Sequence, residues 1–88
     1  MKKDLLEQKA LELIENSNDV LETKEILETL QVSIKGVTRV KLFSRLNNLR
    51  GEGLIKGKFV GPGKGVWIWW RKDLLEIKKE ERKSESKT

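Results

Sequence analysis

The chain is 88 residues long, 36% apolar and 38% charged with a net charge of +5, enough for one small core and not for two. It has no cysteine and no histidine, which excludes disulfides, thiolate or imidazole metal ligands, and the commonest general base. No apolar run reaches the roughly 18 residues of a membrane span, and Met1-Lys2-Lys3-Asp4 opens a charged amphipathic stretch unlike a signal peptide, so an intracellular, cytoplasmic protein is expected.

Asp4 followed by Glu7 has capping-box spacing, and Leu5, Leu6, Ala10, Leu13 and Ile14 recur on one stripe, which predicts a first helix over residues 4–16. Asn16-Ser17-Asn18-Asp19 ends it, since each of these side chains bonds nearby backbone readily. Val20-Leu21 suits a very short strand. Thr23 then reads as the N-cap of a second, short helix over 24–30, with Ile26, Leu27 and Leu30 facing inward. The stretch from Gln31 to Val37, which contains Gly36, breaks the pattern.

From Thr38 a helical period returns in Val40, Leu42, Phe43, Leu46 and Leu49, with Arg39, Lys41, Ser44, Arg45 and Asn48 on the polar side. Either glycine of Arg50-Gly51-Glu52-Gly53 can close this third helix in the left-handed conformation. Two β-rich runs, 54–60 and 66–70, flank Gly61-Pro62-Gly63-Lys64-Gly65, a hairpin whose five-residue loop is too long for a tight reversal and should project. Lys72 to Ile77 has the apolar content for a short final helix. Residues 78–88 are Lys, Glu, Arg, Ser and Thr with nothing to bury, a tail that frays or stays disordered, so the domain is placed at 1–77.

Charge is segregated along this order. Residues 35–71 carry nine Lys and Arg against the single acid Glu52, a balance of +8, whereas residues 1–34 come to −4 and residues 72–88 to +1. Cations at that density repel one another, and a phosphate backbone neutralises them. A composition rich in Lys and Glu and free of Cys and His also resembles that of thermophile proteins.

Helix, short strand, helix, turn, helix and hairpin, together with Ile26 to Leu30, Leu42 to Ile55 and the Lys/Gly-rich hairpin, resemble a winged helix-turn-helix domain of the small archaeal, viral or plasmid transcription regulators. The most specific part is Arg45 to Ile55, where Leu46 and Leu49 seat the third helix, a glycine turns the chain and Leu54-Ile55 begins the wing. The resemblance implies an α+β fold with a three-helix core and a C-terminal β-hairpin wing. The segment between the second and third helices is about two residues longer than in the usual pattern, so the recognition helix is expected over about 36–50.

If the resemblance holds, that helix enters the major groove of double-stranded DNA, with Lys35, Thr38, Arg39, Lys41, Ser44, Arg45 and Asn48 as candidate contacts. Lys56, Lys58 and Lys64 of the wing, about 56–66, are expected on flanking phosphates or in the minor groove. The Gly-Pro-Gly-Lys-Gly loop is no nucleotide-binding loop, because no Ser or Thr follows Lys64 and no helix starts there. Trp67 and Trp69 share one strand face and Ile68 and Trp70 the other, so at least one tryptophan is expected in the core. Trp67, Trp69, Trp70 and Leu74 form the candidate interface for a homodimer. No catalytic residue, metal, cofactor or small-molecule ligand is predicted, and the acids Asp4, Glu7, Glu12 and Glu15 lack a catalytic partner. The alternatives are a winged helix that binds proteins, or an RNA or single-strand binder that stacks bases on the tryptophans.

Overall fold

The computed structural model describes residues 4–74. Its elements are α1 (Leu5–Glu15), β1 (Leu21–Glu22), α2 (Thr23–Ser33), α3 (Arg39–Gly51), β2 (Ile55–Val60) and β3 (Val66–Arg71). The strands form one antiparallel sheet in the order β1-β3-β2. Among the described residues no helix is long and apolar enough to cross a membrane. The helix expected over 72–77 lies mostly outside the described residues, as do the domain limit at 77 and the tail 78–88.

Local chemistry explains most boundaries. Asp4 caps α1 by accepting the Glu7 N–H at 2.8 Å, and Thr38 caps α3 by accepting the Lys41 N–H at 3.2 Å. This places the start of α3 at Arg39, three residues later than position 36, and leaves Lys35 in the preceding turn. At the other end Gly53, with φ of +79°, is the left-handed residue. The Leu54 N–H bonds the Leu49 carbonyl and the Gly53 N–H the Arg50 carbonyl, the paired bonds of a Schellman turn, while Gly51 stays helical.

The second helix differs from expectation at both ends. Glu22, not Thr23, is its N-cap, in a reciprocal capping box with Glu25. The helix then runs three residues past Leu30, because the apolar stripe stops there while the backbone continues through the exposed Gln31, Val32 and Ser33. Gln31 Nε2 reaches forward to the Val37 carbonyl at 3.1 Å and ties this last turn to the loop before α3.

Thr23 is free of capping duty because it serves the sheet. Its buried hydroxyl accepts the Trp69 indole N–H at 2.8 Å and donates to the Trp67 carbonyl at 3.3 Å. Trp69 is fully buried among Ile14, Ile26, Leu42, Leu46, Leu49 and Ile55. Gly57, facing it across the β2–β3 pair, leaves room for the ring, since a Cβ there would lie 2.5 Å from Trp69 Cε3. Substituting Thr23→Val keeps the shape and leaves the indole N–H buried without an acceptor, so urea unfolding should show a loss of about 1–3 kcal/mol.

Candidate nucleic-acid interface

The side chains of α3 fall into four groups. Leu42, Leu46 and Leu49 are buried. Arg45 and Asn48 face α1, where Arg45 Nε donates to Asp4 Oδ2 at 2.7 Å and Asn48 Nδ2 to Glu7 Oε1 at 3.4 Å. Phe43 and Arg50 face the hairpin; Phe43 packs edge-on against Trp67 and Trp69, and the Arg50 guanidinium lies 5.3 Å above the Trp67 ring. Val40, Ser44 and Asn47, spaced i, i+4 and i+7, form the outward stripe. Val40 is therefore not the inward residue that its apolar character suggested; it is 81% exposed.

The cations flank this stripe. Lys35 and Lys41 sit with Arg45 and Asp4 around a hollow where the turn before α3 meets α1. On the hairpin side, Arg39 and Lys64 line a groove of about 420 Å³ between α3 and the loop, whose walls include Phe43, Phe59 and Trp67. Among the described residues no acid pairs with Arg39, Lys41 or Lys64, whereas Arg71 is held by Asp73 at 3.4 Å and Asn18 at 3.1 Å.

Not every candidate joins this surface. Ile55, Gly57 and Phe59 occupy the sheet face toward the helices, so the strand alternation sends Lys56 and Lys58 to the other face, opposite Trp70 and Ile68 respectively. Lys56 borders a hollow with Arg50 and Gly53 at the C-terminal end of α3, away from its outward stripe, and of the three hairpin lysines only Lys64, in the projecting loop, lines the groove. Leu74 is buried and Trp69 belongs to the core, which removes both from an exposed interface. Trp67 stacks on Trp69 at 5.3 Å and is half-buried, leaving Trp70 as the tryptophan of the outer face. Asn47 reads in sequence as a helix-end solvent residue and Val40 as an inward one; helical arithmetic from Leu42 and Leu46 places Val40 outward.

No family model matches this chain, and no curated protein is similar to it in sequence. Among solved structures it resembles one reported for the DNA recognition and protein interaction domains of HOP2 and its homologous DNA pairing properties, with a TM-score of 0.62 and 23% identity over 75% of this chain and 97% of that one. The fold is a winged helix.

Asp4 joins the acidic N-terminal half to the basic surface. The Glu7 backbone N–H, and after it the Arg45 guanidinium, hold its carboxyl below the ordinary value of 3.8. A depressed folded-state pKa adds stability that is complete above the unfolded value and is lost as pH falls through the folded one. Wild type should therefore unfold at higher urea than Asp4→Asn at pH 6. The gap should close as the pH is taken below 3.8, since both side chains can cap the helix and only the charge differs.

Proposed function

We propose that this protein binds double-stranded DNA sequence-specifically, without catalysis, as a transcriptional regulator that occupies a promoter or operator site. One observation carries the reading: a neutral stripe of small and medium side chains on α3 lies between two cationic banks, Lys35 and Lys41 on one side and Arg39 and Lys64 on the other. A helix fits the major groove, and small outward side chains let it approach the base edges closely. The banks suit the phosphates on either side, which fix register and supply most of the affinity. In that pose the sugar-phosphate strand runs through the groove between α3 and the wing. The likeness to a structure reported for DNA recognition supports DNA binding in general.

The Asp4–Arg45 pair modifies the earlier role of Arg45. With its guanidinium on a carboxylate, Arg45 supports the α1–α3 contact and offers less to a base. Asn48 stays exposed at the edge of the stripe, its amide bonded to Glu7 at 3.4 Å. Two protomers on one duplex would read half-sites about 10 base pairs apart, which a palindromic target would reveal.

A second reading, that of a protein-interaction module, draws on the outer sheet face, where Val60 and Val66 are exposed beside Ile68 and Trp70. The neighbour's own protein-interaction domains are compatible with it. That face also suits a second copy of this chain.

Fluorescence-anisotropy titration of duplex DNA across salt separates the readings. Arg39→Ala and Lys64→Ala should each weaken binding and reduce the slope of log K against log salt by about 0.9, one phosphate contact apiece. Lys56→Ala and Lys58→Ala should leave the slope unchanged, and Asp4→Asn should tighten binding by removing an anion from the Lys35–Lys41 bank. Absence of binding at low salt would dismiss the reading, and equal effects of all four lysine and arginine variants would displace the interface from α3.

A further inference from the structure

We propose that Val40 gives the protein a preference for thymine at one position of its target by packing on the C5-methyl group. The proposal rests on the duplex-binding reading and adds a specificity determinant to it. Val40 is 81% exposed in the first turn of α3, on the wall of the open groove that Phe43, Phe59 and Trp67 also line, and it lies outside the buried core. A β-branched residue is stiff at χ1 in a helix and lowers helix propensity relative to alanine, so an outward valine there is a cost to folding. It is also flanked by charge, with Arg39 and Lys41 on either side in sequence and Lys64 across the groove.

The rest of the outward surface narrows its role. Thr38 is committed to the cap, Arg45 to Asp4 and Asn48 to Glu7, which leaves Val40, Ser44 and the half-exposed Asn47 as the uncharged side chains of the stripe between Arg39 and Lys41. Ser44 and Asn47 offer hydrogen-bonding groups. Val40 has none. The one apolar group on a base edge in the major groove is the thymine methyl, and apolar side chains discriminate bases there through that contact. Cytosine in its place would offer an amino donor that valine leaves unpaired.

The test uses the full chain and the duplex recovered by selection from random sequence. Each thymidine is replaced in turn by deoxyuridine, which removes the methyl and leaves the pairing edge intact. Wild type should lose about fourfold in affinity at one position, the worth of one buried methyl-sized group, and little elsewhere. Val40→Ala, an exposed substitution that spares the core, should bind the two duplexes equally at that position. Equal binding of thymidine and deoxyuridine duplexes by wild type at every position overturns the proposal. So does a Val40→Ala variant that discriminates as wild type does. Recovery of no preferred sequence by a protein that still holds duplex DNA also overturns it while leaving duplex binding in place; failure to hold duplex at all removes the functional reading itself.

Discussion

The buried Trp69 indole is the constraint on which the rest of the arrangement depends. It sits on the central strand β3, is covered by residues of all three helices and of β2, and gives its N–H to Thr23 at the start of α2. Because β3 pairs with both other strands, fixing Trp69 fixes the sheet on the helices. Gly57 opposite allows the close approach, and Trp67 stacked on Trp69 extends the aromatic layer outward to Phe43 and Phe59. The hairpin thus leaves the core at a set angle to α3, and the groove between them is a consequence of that packing.

Electrostatics then decides which part of the surface attracts an anion. The basic segment has a nominal excess of +8, yet its cations do not act together. Arg45 is matched by Asp4 and Arg71 by Asp73, Arg50 lies over Trp67, and Lys56 and Lys58 leave by the outer sheet face. Lys35, Arg39, Lys41 and Lys64 remain near the outward stripe of α3. A smaller charge placed on both sides of one helix is a better match to two phosphate strands than a larger one spread over the molecule.

Much of this was legible in the chain. Element order, the cap at Asp4, the glycine turn after α3 and the five-residue hairpin loop follow from local chemistry, whereas Thr38, read as a DNA contact, is the cap of α3. What escaped depends on partners distant in sequence. Nothing near Thr23 indicates that its hydroxyl serves a tryptophan 46 residues later, and nothing near Arg45 names an aspartate 41 residues earlier. The length of α2 was missed because its last turn buries nothing. The facing of Lys56 and Lys58 was accessible in principle: once Trp69 is assigned to the core, the residue paired with it, Gly57, must share that face, and its two neighbours must point the other way.

The central claim is that α3, and not the outer sheet, is the surface that meets duplex DNA. Because the chain has no cysteine, a single one introduced at Ser44 or at Lys58 can carry a photo-crosslinker without background. Irradiation with duplex DNA should attach the Ser44→Cys protein at base positions facing the major groove and leave the Lys58→Cys protein largely free. Attachment through position 58 with none through position 44 would contradict the account.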